Sequence, residues 1–121
     1  MTYIDGFLLP VPKNKLAAYR KMAKQGGALW KKHGALEFRE CVADDLKNSM
    51  TGGQSLFPKM VKAKRGETVV FSYIVFKSKA HRDRVNKKVM TDPSMSSTDL
   101  QAMPFDVKRM AYGGFRVLVE T

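Results

Sequence analysis

Asp5 is the residue whose position demands most from its chemistry. It lies inside the apolar run Tyr3 to Val11, on the same parity as Tyr3 and Phe7. A carboxylate in such a strand must be ion-paired, hydrogen-bonded or protonated. The stronger reading is a structural ion pair with an arginine of the last strand, such as Arg109 or Arg116. The other is a general acid or base at the mouth of an internal pocket. His33 closes the first helical segment, at the edge of its apolar stripe, where a helix C-terminus favours a cation. Tyr73 places a phenol in the most regular strand. Asp5, His33 and Tyr73 are therefore the candidates for catalysis. Trp30, on the inner face of the first helix, and Met103 are the candidates for a pocket wall. Met90, Met95, Met103 and Met110 cluster around one irregular stretch, and flexible thioethers adapt to irregular ligands.

Other chemistries find little support. His33, His81 and Cys41 are far apart, and neither a His-x-x-x-His nor a Cys-x-x-Cys spacing occurs. Cys41 has no activating partner in sequence and reads as a half-buried strand residue. His81 reads as a solvated helix position. Gly52-Gly53 and Gly113-Gly114 lack the context of a phosphate-cradling loop. No cofactor and no metal are expected. One cysteine permits no internal disulfide, which points to a reducing compartment. No apolar run approaches the roughly 18 residues of a membrane span, and the N-terminus has no basic-then-apolar leader. A soluble cytoplasmic protein without a membrane partner is the expectation. Its formal net charge of +11, from 22 Lys and Arg against 11 Asp and Glu, attracts polyanions non-specifically.

The elements that must position these residues follow from periodicity. Tyr3 to Val11 is a strand apolar on both faces, ended by Pro10 and Pro12. Lys13 to His33 is a helix whose stripe carries Leu16, Tyr19, Met22, Ala23, Leu29 and Trp30. Gly26 and Gly27 lie on or beside that stripe, where a missing side chain permits close approach to a sheet. Gly34 stops the helix. Ala35 to Val42 alternates as an edge strand, with Leu36, Phe38, Glu40 and Val42 on one parity. Residues 43 to 66 are the least regular, and Leu56 to Ala63 is expected to return as a short extra strand. Glu67 to Lys77 is the clearest strand, with Val69, Phe71, Tyr73 and Val75 on one parity and Val70, Ile74 and Phe76 on the other. Ser78 caps a helix from Lys79 to Met90. Lys108 to Val119 is the last strand, bent or bulged at Gly113-Gly114.

One domain over residues 1–121 is expected. The order is β-α-β-β-α-β, an α+β, ferredoxin-like antiparallel sheet with two helices on one face. The other face, apolar along the first and third long strands, needs a cover. A second copy of the same surface is the simplest one.

Several stretches resemble a known family. They are Tyr3-Ile4-Asp5-Gly6-Phe7, Gly34-Ala35-Leu36, Arg39-Glu40-Cys41, Val61-Lys62-Ala63, Val69-Val70-Phe71-Ser72, Asp92-Pro93, and the block from Met103 to Phe115. The chain is similar over nearly its whole length to the bacterial YbaA-like family, domain of unknown function 1428. The resemblance implies the dimeric α/β-barrel superfamily, in which two ferredoxin-like chains pack sheet to sheet. It implies no catalytic residue, because the family has no established activity.

Two functions compete on this ground. The first is binding or conversion of a small apolar or aromatic molecule, by a homodimer, in a pocket between sheet and helices capped by residues 93 to 106. Relatives of the superfamily fold include cofactor-free monooxygenases and isomerases, a fold-level analogy. The second is RNA binding through helix-borne lysines and arginines. No acid occurs from Lys13 to Lys32, and Lys77, Lys79, Arg82, Arg84, Lys87 and Lys88 face Asp83 alone. The third long strand lacks the glycine and basic positions of an RNA-recognition motif.

Overall fold

Alternation in four segments builds one antiparallel sheet, and the computed structural model describes it within residues 2–48, 50–97 and 103–121. The long strands are β1 (Tyr3–Pro12), β2 (Glu37–Val42), β5 (Glu67–Phe76) and β6 (Ala111–Arg116), in the order β2-β5-β1-β6. The two doubly apolar strands, β1 and β5, hold the centre and pair over their full length, from Tyr3 with Phe76 to Pro12 with Glu67. The predicted edge strand, β2, does lie at an edge, beside β5. A small hairpin, β3 (Lys47–Asn48) with β4 (Gly53–Gln54), stands apart from this sheet. The chain is mixed α+β, and the sheet does not close on itself.

Helices α1 (Leu16–Lys32) and α3 (Lys79–Met90) cover one face. Leu9 and Val11 of β1 and Val70 of β5 meet Tyr19 and Ala23 of α1. Ile74 and Phe76 meet Val85 and Val89 of α3. Phe76 is fully buried, and each such side chain removed from water contributes about 1.5–3 kcal/mol. The Ser78 hydroxyl accepts the His81 N–H at 3.1 Å and caps α3 as predicted. Gly34, at φ +114°, ends α1 in a conformation that side chains avoid. Gly27 lets α1 approach the sheet closely: a Cβ there would stand 2.8 Å from the ring of Phe38.

The segment expected as an extra strand is instead the short helix α2 (Phe57–Met60). Pro58 sits in its first turn, where the missing N–H costs nothing and the fixed φ favours a helix. Val61, just beyond, is buried with Leu8 and Val69. These belong to the parity turned away from α1 and α3, so the third helix covers one end of the opposite face. The last strand is also shorter than expected, because Val107–Arg109 is a 3-10 turn capped by Asp106. Gly113 and Gly114 pair in register with Gly6 and Asp5, without a bulge.

Candidate functional site

Between α1 and the sheet lies a cleft of about 930 Å³. Phe7, Leu9, Ile74 and Phe38 form its floor, and Tyr19, Met22, Leu29 and Trp30 of α1 form its roof. Met95, Met103, Phe105 and Met110 close its far side. Trp30 and Met103, the pocket-wall candidates, both line this cleft. Met95 and Met110 join them, while Met90 is exposed. Of the expected cap, residues 93 to 106, the part 98–102 lies outside the described residues.

The lining is predominantly apolar; Lys21, Gln25, Lys32 and Ser94 add polar side chains, and Tyr19, Glu40 and Ser72 form a further polar group. The Tyr19 hydroxyl donates to Glu40 Oε2 at 2.7 Å. Ser72 lies opposite Glu40 in the β2–β5 register, where its hydroxyl favours the charged form of that carboxyl. Loss of solvent pushes the Glu40 carboxyl above the usual range, and the two hydroxyls only partly offset it. Burial, then the neighbouring carboxyl, raises the Tyr19 phenol. Glu40 also lines a second cleft on the opposite side of α1, beside Leu16, Lys24 and Val42. It is therefore reachable from two sides. A carboxyl held by a fixed hydroxyl beside apolar walls can bind a donor or exchange a proton.

Asp5 is 1% exposed and fully partnered. Its expected partners, Arg109 and Arg116, are not the ones it finds. Arg82 Nη1 donates to Asp5 Oδ1 at 2.8 Å, and Asn86 Nδ2 donates to Oδ2 at 3.2 Å. Both come from α3, one turn apart, on the face that meets the sheet. Arg109 is engaged elsewhere, in a two-pronged pair with Glu67 at 2.7 Å and 2.7 Å and a bond to the Lys62 carbonyl. Burial works against the Arg82 charge, and Asp5, Tyr112, Asp83 and Tyr3 together more than compensate. Arg82 also donates to the Tyr112 hydroxyl and lies 4.9 Å from the Tyr3 ring centre. Asn86 accepts the Trp30 indole N–H at 3.0 Å. Asp5 therefore acts on the cleft at one remove, by orienting the amide that orients Trp30.

The other candidates do not converge with Asp5. His33 Nε2 meets Asp92 Oδ2 at 2.7 Å, and the Lys32 ammonium approaches the same oxygen at 3.3 Å. The Ser94 backbone N–H, then His33, hold the Asp92 carboxyl well below its usual range. Tyr73 points to the opposite face, where its hydroxyl accepts from Arg39 at 3.2 Å. Cys41 is exposed rather than half-buried, since no described element covers its side of β2. His81 is partly buried rather than solvated, and its Nδ1 accepts the Lys77 N–H at 3.0 Å. Burial first, then the charges of Lys77, Arg84 and Lys88, lowers its pKa, as suits an acceptor. Among the described residues no three His, Cys, Asp or Glu side chains gather as metal ligands, and no helix is long and apolar enough to cross a membrane.

Tyr19, Glu40 and Ser72 were not singled out as site residues from the sequence. A signal for them exists: Glu40 interrupts the parity of Phe38 and Val42, and Ser72 interrupts that of Val70, Ile74 and Phe76. Only the strand register sets the two interruptions opposite each other.

Fold and site together define a small α+β protein with an amphiphilic cleft under a helix. Residues 2–107 match the model of the family described as "Protein of unknown function (DUF1428)". The chain is 45% identical over 120 residues to the uncharacterized protein YbaA of Escherichia coli strain K12, covering 99% of both chains. The YbaA proteins of Escherichia coli O157:H7 and Shigella flexneri match to the same 45% identity and 99% coverage. The chain belongs to the DUF1428 family. Among solved structures it aligns with a de novo designed protein, Foldit4, over 97% of its length at a TM-score of 0.46 and 9% identity.

Proposed function

We propose that this protein binds, and through Glu40 can act on, a small apolar or aromatic molecule in the cleft beneath α1. The observation that carries this reading is the pairing of about 930 Å³ of largely apolar-walled space with the Tyr19–Glu40 hydrogen bond inside it. Ligand sites commonly combine apolar walls with a few placed polar groups. Calorimetric titration with 2-phenylethanol and with indole tests it. Saturable one-to-one binding, lost in Gly26→Leu, is the expected result. Gly26 lines the cleft, and a Cβ there points at Trp30 from 3.9 Å, so the longer side chain fills the space. Binding that persists unchanged in that variant would overturn the reading.

The working form we propose is a ferredoxin-like homodimer joined through the uncovered sheet face. The order β2-β5-β1-β6 supports it, as do the outward Phe71 and Phe115, 48% and 61% exposed. Large apolar side chains grouped on one face mark association surfaces. Light scattering should give twice 13.6 kDa; the mass of one chain at micromolar concentration would contradict pairing. The unpaired Cys41 thiol fits a reducing, cytoplasmic setting.

A further inference from the structure

We propose that the open edge of β2, beneath the basic flank of α1, is a docking site for an extended acidic segment of a partner protein, which adds to the sheet as a further strand. This site is separate from the apolar cleft read above as a ligand site and does not depend on it.

Backbone geometry carries the first half of the argument. β2 is an outer strand, with β5 on one side and no described strand on the other. The Ala43 N–H bonds to the Val69 carbonyl at 2.9 Å. Bonded pairs alternate along an antiparallel ladder. With the observed register, the peptide groups of Glu37, Arg39 and Cys41 therefore turn to β5, and those of Phe38, Glu40 and Val42 turn outward. Such an edge is a template for another strand unless prolines, charges or a covering element blunt it. β2 holds no proline. Its charges are engaged within the chain, Glu37 with Arg39 at 2.8 Å and Glu40 with the Tyr19 hydroxyl at 2.7 Å. Beside the edge lies open space rather than cover: the second cleft, about 1110 Å³, between α1 and β2.

Charge carries the other half. α1 has no acid between Leu16 and Lys32. Arg20, Lys21, Lys24 and Lys31 line the second cleft, over apolar Leu16 and Val42. What sets this flank apart on a basic protein is that it overhangs an open edge. α1 runs back along β2: Lys31 reaches the Leu36 carbonyl, Gly27 stands over Phe38, and Tyr19 meets Glu40. Arg20 and Lys31 are about 16 Å apart at 1.5 Å per helical residue, close to the roughly 20 Å span of a strand the length of β2. Every second side chain of an added strand points to α1, so acids at alternate positions meet this basic row. Main-chain bonds hold such a strand and its alternate side chains select it. A second copy of the same edge does not fit, because pairing would set two basic flanks against each other.

The probe is a fluorescein-labelled peptide of alternating Glu and Val, about as long as β2, followed by anisotropy with the full chain at physiological salt. Saturable binding is expected, about tenfold or more tighter than that of the same residues in block order. Methylating the backbone nitrogens of the Glu residues, or those of the Val residues, blocks one edge of the peptide at a time. One set should abolish binding and the other leave it, a pattern that net charge cannot produce. Arg20→Glu combined with Lys24→Glu, at two exposed positions, should weaken binding about tenfold or more. Equal binding of the block-ordered peptide, or of single-stranded DNA of the same charge, would show attraction to charge alone and overturn the proposal. Absence of binding would overturn it as well. The peptide comparisons use the unaltered protein, so they decide even if the double variant folds poorly.

Discussion

The two faces of the sheet are drawn from the same alternating strands and are finished in opposite ways. On the helix side, Val70, Ile74 and Phe76 are buried under α1 and α3. Of the polar residues there, Asp5 and Ser72 are buried, and Asp5 is bonded to α3; Glu40, exposed at the sheet edge, takes the Tyr19 hydroxyl. On the other side, α2 and Val61 seal only the end near Leu8 and Val69, and Phe71 and Phe115 face outward. Polarity is thus built into the covered face and apolarity left on the open one. Covered polar groups are costly unless each is satisfied, so their presence marks a site or a constraint. Uncovered apolar groups mark a surface that another molecule completes.

The largest effect that would break this comparison is loss of Asp5. Asp5→Ala leaves the half-buried Arg82 with only the exposed Asp83 carboxylate, which should cost about 3 kcal/mol in urea unfolding. It also frees Asn86, so Trp30 emission should shift below the transition. An unfolding loss under 1 kcal/mol would show that the Asp5–Arg82 pair does not support the covered face.

On the open face, Phe71→Asp should do little to the fold of one chain and separate the pair, at a cost of about 2 kcal/mol or more if Phe71 is central to the interface. Light scattering against concentration reads this as a fall to one-chain mass.

The neighbouring glycines of α1 sharpen the contrast at single-atom scale. Gly27→Ala drives a methyl into Phe38 and should destabilise by about 1–2 kcal/mol, overpacking outweighing the helix gain. Gly26→Ala meets Trp30 only at ordinary contact distance and should stabilise by about 0.5–1 kcal/mol. Equal effects from the two would contradict the close approach of α1 to β2.

The mildest change is acidification. Arg109, opposing the burial of its partner, lowers Glu67 from 4.5 to about 2. The pair ties the turn before β6 to the start of β5 and to the Lys62 carbonyl. A depressed folded-state pKa stabilises above the unfolded value, and that stability is lost as pH falls. The Glu67 contribution should therefore fade between about pH 4.5 and pH 2. Glu67→Gln should flatten that part of the stability profile.

Much of the fold was legible in the sequence because it lies in short-range pattern. The parity of β1 and β5, the Ser78 cap and the Gly34 stop all depend on neighbours within a few residues. The α2 error has a local cause as well: the apolar run from Leu56 outweighed Pro58, whose place in a first helical turn was the better guide. The site was less legible because it is made across the chain. Asp5 was identified as a buried acid, but its partners Arg82 and Asn86 are 77 and 81 residues away. Their spacing of four puts them on one helix face beside Val85 and Val89, a polar edge to an apolar stripe that a solvated reading passes over. Glu40 and Ser72 look like isolated lapses in two alternations until the register joins them.

Trp30 is the single tryptophan of the chain and lines the cleft, so its fluorescence tests the central claim most directly. Titrating the wild-type protein and Gly26→Leu with 2-phenylethanol should give a saturable change in the first and none in the second. A response that grows linearly with ligand, or is the same in both proteins, would contradict a ligand site beneath α1.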